Sequence, residues 1–197
     1  RRVLLSSLEG HGIIGITIKG ITHEFSTIPN VMEEVLEIIS NLKGVIFNKN
    51  SEEVEIAKIK VTDKKIVKAK DIKCNSAVTI INPDHYLFEV SSKADVEIEL
   101  YIDSGLGYRD MNDQEHDDKV VNFIATDTSF SPIERVNHQI DSIRVGDSLN
   151  HDKLTLDLKT NGSINPDDAI KKAVNILSEH LGIFNKINEK PELDNSE

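Results

Sequence analysis

Histidine and acidic residues are the side chains of this sequence that could bind a metal ion or transfer a proton. The chain has seven histidines, and His116 lies inside the acidic run DQEHDD at 113–118. Carboxylates at this spacing could hold a hard cation, which a hydrolase would use to activate water. An EF-hand loop, however, requires glycine at its sixth position, where the run from Asp113 has Asp118. We therefore expect a solvated acidic loop, and a small metal-assisted hydrolase using the acidic loop around His116 is the alternative function.

The other catalytic motifs are incomplete. No histidine pair has an HxH or HExxH spacing, and Cys74 is the single cysteine, which excludes a cysteine-based zinc site within one chain. The segment 105–107, GLG, lacks the third glycine of a dinucleotide fingerprint and precedes no helical pattern, so it predicts a turn. Ser6 and Ser7 end an apolar helical pattern, where serine more often caps or packs than attacks a substrate. Apart from the alternative around His116, we therefore expect no catalytic residues and no metal ligands in this chain.

The composition excludes further classes of protein. In 197 residues, 34 acidic and 23 basic side chains give a net charge of -11, so the clustered cations that bind nucleic acid are missing. No apolar run approaches the length of a membrane span, and no signal-peptide pattern follows Arg1 and Arg2. A single cysteine fits a reducing compartment. The length suits one domain or two small ones, and the start without methionine leads us to expect a fragment of a longer chain.

Hydrophobic periodicity predicts two helices and a strand near the start of the chain. Residues 1–8 have leucines at helical spacing, and Gly10 would follow the end of that helix. Isoleucines alternate with small or polar residues over 14–18, which predicts a strand. A second helix is predicted to begin at Pro29 and Asn30 and to end at Gly44. Its apolar stripe consists of Val31, Val35, Ile38 and Leu42.

The remainder of the chain divides into a β-rich section and a section that ends in a helix. From residue 45 to about 130 the period is two, and a change of phase near Ala57 predicts a β-bulge. Further strands are predicted over 133–145 and around 154–158, with a turn at Asn161 and Gly162. Asn165 would cap the last helix, and the polar tail from Asn188 would start a linker. The apolar stripe of that helix consists of Ile170, Ala173, Val174, Leu177, Leu181 and Phe184.

Read in order, five distinctive segments resemble the N-terminal assembly domain of the α subunit of bacterial-type DNA-directed RNA polymerase. They are spread over almost the whole chain, and 45–104 matches mainly in its strand pattern. The segments are RRVLLSSLEG at 1–10, HEFSTIPNVMEEVLEIISNLKG at 23–44, GLGY at 105–108, FSPIERVN at 130–137 and TNGSINPDDAI at 160–170.

The resemblance implies an α+β fold: a dimerisation domain of antiparallel sheet with two helices, interrupted by a β-rich insert domain. The dimerisation domain would comprise residues 1–10 plus 134–190, and the insert domain residues 11–133. Residues 191–197 would begin a linker to a C-terminal domain that this sequence does not contain.

The resemblance also implies site residues, all of which are contacts between subunits. Arg1, Arg2, Leu5, Ser6 and Ser7 match a segment that contacts the large subunits. The same role is implied for Asn41, Leu42, Lys43 and Gly44, and for Glu134 and Arg135. Arginine beside apolar residues is also a common interface anchor, whereas the alternative is scattered surface charge. The dimer interface would consist of Val3, Leu4, Leu8, Val174, Leu177, Leu181 and Phe184.

The function that the resemblance implies is that of a homodimeric scaffold for the polymerase β and β′ subunits. Catalysis and its magnesium would belong to β and β′, so this chain would be part of a nucleotidyltransferase without catalytic residues and without a cofactor. We expect no direct DNA binding by this chain, no membrane association, and a bacterial cytoplasm or an organelle such as a plastid as its location.

Overall fold

Antiparallel strands and three helices make up most of the chain that the structure describes. This computed structural model describes residues 1–63, 65–113, 120–145 and 148–185. The helices are α1 (Arg2–Ser6), α2 (Val35–Lys43) and α3 (Pro166–Asn185). The strands are β1 (Glu9–Ile18), β2 (Phe47–Lys49), β3 (Glu55–Val61), β4 (Lys65–Lys68), β5 (Val78–Ile80), β6 (Tyr86–Val90), β7 (Val96–Leu106), β8 (Tyr108–Arg109), β9 (Ile124–Ala125), β10 (Thr128–Ser129), β11 (Ile133–Val145) and β12 (Ser148–Thr160).

The largest sheet has four strands in the order β3-β7-β1-β9. All its pairs are antiparallel, and β1 follows β7 from Glu9 opposite Leu106 to Ile18 opposite Ile98. The register of β1 shifts between Ile13 and Gly15, so the strand carries the bulge of this sheet. A side chain at Gly15 would collide with the ring of Phe123, which explains why the residue next to the bulge is a glycine.

A large apolar core covers one face of this sheet. The predicted stripe residues Val35, Ile38 and Leu42 of α2 are all buried in it, together with the alternate positions of β7. The alternation predicted for 96–102 is therefore confirmed, because each second residue of β7 from Val96 to Ile102 faces the core.

A second, smaller core joins the two ends of the described chain. Helix α1 packs against β11 and α3, and Leu4 of the helix and Leu8, just after it, are buried there. The buried members contributed by the later part of the chain are Ile133, Val136, Ala169 and Ala173. The two separate cores are consistent with two domains, while the predicted domain boundaries at residues 10 and 134 stay a prediction.

The fold class is α+β with antiparallel sheets, as predicted, and several local expectations are confirmed. The strand predicted over 133–145 is β11, which forms a long hairpin with β12. The Asn165 side chain accepts a hydrogen bond from the backbone N–H of Asp167, so Asn165 caps α3 and Pro166 is its first residue. Gly162 and Gly107 both have a positive φ, as the predicted turns require.

Three local predictions are wrong. Helix α2 begins at Val35 rather than at Pro29, because Asn30 takes a left-handed φ of 65° and Val31 forms a β-bridge with Val90. Gly10 does not terminate a helix, since α1 ends at Ser6 and Gly10 lies in β1. Strand β3 has no bulge at Ala57, because Val54 and Ile56 stay exposed and the pairing with β7 is regular.

Candidate functional site

Helix α1 carries the first group of predicted contact residues. The helix has only five residues, so its stability comes from packing rather than from its own hydrogen bonds. Two hydrogen bonds hold it: Arg1 Nε donates to the carbonyl of Val136 at 3.0 Å, and Ser131 Oγ donates to that of Leu5 at 3.2 Å. Arg2 is the first residue of the helix and is exposed, and Leu5 is half-buried. The helix thus presents a charged end beside an apolar side chain.

The serines of α1 have structural partners. Ser6 Oγ donates to the carbonyl of Arg2 at 2.9 Å within the helix, and Ser7 is the C-terminal cap residue. The predicted capping or packing role of these serines is therefore confirmed. Ser6 remains exposed, so it is part of the surface that α1 presents.

The end of α2 carries the second group. The Asn41 amide donates to the carbonyl of Leu87 at 2.8 Å, and His85 Nε2 donates to the carbonyl of Asn41 at 2.9 Å. Leu42 is 1% exposed, so in this chain its side chain fills the core and its contact role stays a prediction. Lys43 and Gly44 are exposed, and they form the accessible part of this helix end.

Lys43 is held in place by a small polar cluster. Its ammonium group forms an ion pair with Asp127, whose other oxygen accepts a hydrogen bond from the Tyr108 hydroxyl at 3.2 Å. The hydrogen bond from Lys43 lowers the pKa of the Asp127 carboxyl. Desolvation, followed by the hydrogen bond to Asp127, raises the pKa of Tyr108. The cluster therefore keeps Asp127 ionised and fixes Lys43 beside Tyr108.

A cleft of about 190 Å³ brings several of the distinctive sequence segments together. Its wall combines the end of α2, strand β1, the start of β8, the segment before β10 and the turn after β12. The residues that line the cleft include His11, Leu42, Lys43, Tyr108, Asp127 and Asn161. The backbone N–H of Asn161, in the turn after β12, donates a hydrogen bond of 3.0 Å to the carbonyl of Pro132, the residue just before β11.

Phe130, which begins the FSPIERVN segment but was not predicted as a site residue, lies at the centre of these segments. It is 1% exposed and lies over Gly10 and Gly105, which are opposite each other in the β1–β7 pair. Its backbone N–H donates to the carbonyl of Gly107 at 2.7 Å. A side chain at Gly105 would come within 2.8 Å of the ring. Gly105 of the GLGY segment therefore makes room for Phe130, while Gly107, with its positive φ, forms the predicted turn.

Glu134 and Arg135 lie next to each other on β11, and both are exposed. Glu134 pairs with Lys159 at 2.5 Å and Arg135 with Asp157 at 3.4 Å, both across the β11–β12 hairpin. Exposed pairs of this kind contribute little to stability, about 0–1 kcal/mol, so the charges are available to a partner. The hydrogen bond from Arg1 to Val136 places the start of α1 beside this part of the strand.

The predicted dimer residues fall into two classes of exposure. Leu4 and Leu8 are buried by this chain itself and Val3 packs against the same core, so their role in a dimer stays a prediction. Four residues of α3, by contrast, form an exposed apolar stripe with fractions of 47–67%. They are Val174, Leu177, Leu181 and Phe184.

The metal hypothesis finds no support among the described residues. Across 1–63, 65–113, 120–145 and 148–185, no three histidine, cysteine or acidic side chains are arranged to hold a metal ion. His116 and the acidic residues on either side of it, 114–119, lie outside the described residues, as does the predicted linker. Among the helices that are described, none is long and apolar enough to cross a membrane.

Comparison with known proteins defines the class. Residues 16–131 match the model of the RNA polymerase Rpb3/RpoA insert domain, and the chain therefore belongs to this family. Two relatives carry the name DNA-directed RNA polymerase subunit alpha. The one from Macrococcus caseolyticus is 44% identical over 184 residues, 93% of this chain and 59% of the relative. The one from Geobacter metallireducens is 44% identical over 193 residues, 98% of this chain and 56% of the relative. The chain thus spans less than two thirds of the length of these relatives.

Proposed function

We propose that this chain works as a non-catalytic assembly subunit of DNA-directed RNA polymerase. In this proposal two copies associate, and the resulting dimer binds the β and β′ subunits. The family match over 16–131 and the two relatives that are named as alpha subunits support membership of the polymerase. The scaffold role is supported by the surfaces that the chain exposes.

The exposed apolar stripe of α3 is the observation that carries the proposal. Val174, Leu177, Leu181 and Phe184 leave about half or more of their surface in water. Burying such a side chain completely gains about 1.5–3 kcal/mol, so covering the exposed half of these four side chains favours association. A second copy of the same helix offers a matching surface, as a two-fold symmetric dimer requires.

The charged surface near α1 is the proposed site for the large subunits. Arg1 caps α1 and Arg2 begins it, Arg1 is hydrogen-bonded to β11 next to Glu134 and Arg135, and Lys43 lies at the end of α2. Arginine offers five donors in a rigid fork, which suits carboxylates and backbone carbonyls of a partner. Among the other predicted contact residues, Leu5 and Ser6 lie in α1 and Ser7 caps it, while Asn41 and Leu42 lie at the end of α2 and Gly44 caps it.

Catalysis in this proposal belongs to the partners. The β and β′ subunits would supply the active site and its magnesium, and this chain would supply neither a catalytic residue nor a cofactor. Nothing in the described residues or among the relatives favours the metal-assisted hydrolase. Since both relatives come from bacteria, we propose the bacterial cytoplasm as the site of assembly.

The test combines the mass of the subunit in solution with capture of purified β subunit. We expect a dimer that retains β, and we expect the double change Leu177→Asp plus Leu181→Asp to give monomers or aggregates. The matched control, Asn175→Asp plus Ser178→Asp, adds the same charge at exposed polar positions of α3 and should leave the dimer intact. An intact dimer in the leucine variant would refute the role of the stripe, and a wild type without β binding would refute the scaffold role.

A further inference from the structure

A buried lysine near β7 needs an explanation that the proposed contacts do not give. The Lys49 side chain is 0% exposed at the end of β2. Its ammonium group donates to the carbonyl of Glu53 at 2.8 Å and is 3.5 Å from Asp103 Oδ1. A buried cation is costly unless it has an anionic partner. Among the described residues, Asp103 is the carboxylate within ion-pair distance of Lys49.

Asp103 has a second cationic partner on a different element. Its Oδ2 atom is 3.4 Å from Nη1 of Arg109, the last residue of β8. The Asp103 side chain is 21% exposed and the Arg109 side chain 31%, so this pair is better shielded than the surface pairs. Asp103 therefore joins β2, β7 and β8 through one carboxylate.

Arg109 in turn lies against Phe130. Its guanidinium carbon is 5.0 Å from the centre of the Phe130 ring, a distance at which a cation attracts an aromatic face. Strand pairing reinforces this contact, because Arg109 is opposite Thr128 and Tyr108 is opposite Ser129. Through Arg109, the charge of Asp103 acts on the segment that contains Phe130.

The Phe130 segment leads directly into the proposed contact surface. One residue further, Ser131 holds the carbonyl of Leu5 in α1, and Glu134 follows on β11. In the other direction, Asp127 holds Lys43 at the end of α2. The Phe130 segment therefore connects α1, β11 and the end of α2.

We propose that Asp103 is a positioning residue for the large-subunit contact surface, and that it acts by holding Arg109 against Phe130. This inference rests on the proposed function. Asp103 also neutralises the buried Lys49, and the experiment separates this role from the positioning of Arg109. Asp103 does not touch the partner in this proposal, and its effect on binding is transmitted through Arg109 and Phe130.

The experiment compares three variants of the subunit with the wild type. Asp103→Asn removes the charge and leaves Lys49 without an anion, while Asp103→Asn combined with Lys49→Met removes both charges. The control Asp95→Asn makes the same chemical change at the exposed Asp95–Lys19 ion pair, whose atoms are 2.8 Å apart. Three quantities are measured for each variant: the melting temperature, amide hydrogen exchange over residues 105–109 and 127–131, and capture of purified β subunit.

We expect both variants with Asp103→Asn to exchange about tenfold faster in these segments, because local opening becomes easier, and to bind β about tenfold more weakly. The double variant should regain the wild-type melting temperature, and Asp95→Asn should match the wild type throughout. If the double variant also regains slow exchange and β binding, Asp103 only neutralises Lys49 and the proposal is overturned. Unchanged exchange in Asp103→Asn also overturns it. If the wild type binds no β, the proposed function fails, and the exchange data still decide whether Asp103 holds the Phe130 segment.

Discussion

Replacement of Gly10 by alanine tests the packing around Phe130 most sharply. The new Cβ would overlap the carbonyl oxygen of Phe130 and lie 2.8 Å from its carbonyl carbon. These are backbone atoms, so no rotamer change can relieve the collision. Strand β1 or the Phe130 segment must move, which disturbs the hydrogen bond from Phe130 to Gly107.

The expected loss of stability follows from two opposing terms. Overpacking of a well-packed site costs about 1–3 kcal/mol, and an obstacle made of backbone favours the upper end. Alanine in place of glycine recovers about 0.5–1 kcal/mol, because the unfolded chain loses freedom. The net effect of Gly10→Ala is therefore a loss of about 2 kcal/mol in the free energy of unfolding. For a chain of this size, that lowers the melting temperature by about 4–8 °C.

Urea denaturation and thermal melting of the variant measure this loss, and Gly182→Ala is the matched control. Gly182 lies in α3, and a Cβ there would meet nothing within 4 Å. The same substitution should therefore stabilise the protein by about 0.5–1 kcal/mol at that position. Equal effects at the two positions, or a loss below about 1 kcal/mol for Gly10→Ala, would show that the account of Phe130 is wrong.

Three further predictions concern binding, pH and the acidic loop. Arg2→Ala should keep the fold and the dimer but weaken capture of β by about 2–4 kcal/mol in a binding assay, as loss of an interface anchor does, while Lys93→Ala should not. Burial lowers the pKa of His11, so the histidine takes up a proton more readily in the unfolded chain. The free energy of unfolding should therefore fall as the pH is lowered from about 7 to about 5. His11→Gln should flatten that pH dependence in urea titrations. Neutralising Asp117 and Asp118, which lie outside the described residues, should change stability by less than about 0.5 kcal/mol on melting.

The sequence predicted those elements whose signals are local. The alternation along β7, the Asn165 cap of α3 and the turn at Gly162 each depend on residues within a few positions. The start of α2 was wrong because its cause is distant in sequence. Val31 pairs with Val90, and that bridge removes the residues before Val35 from the helical pattern.

The resemblance predicted the residues of the contact surface, but nothing in the sequence predicted the packing around Phe130 that supports them. The segments around Gly10, Gly105 and Phe130 were recognised separately, but their packing depends on contacts between residues that are up to 120 positions apart. Nor does local pattern show that Lys49 is buried, since lysine is almost always exposed. Such contacts arise from strand pairing, which hydrophobic periodicity does not specify.

The composition of the assembled complex tests the central claim most directly. The subunit is mixed with purified β and β′, and the mass of the intact complex is measured in the native state. If the chain is a dimeric scaffold, the complex contains two copies of it with one β and one β′, and the α3 variant Leu177→Asp plus Leu181→Asp does not form it. A complex with a single copy, or no complex between the wild-type subunit and β, would contradict the scaffold function.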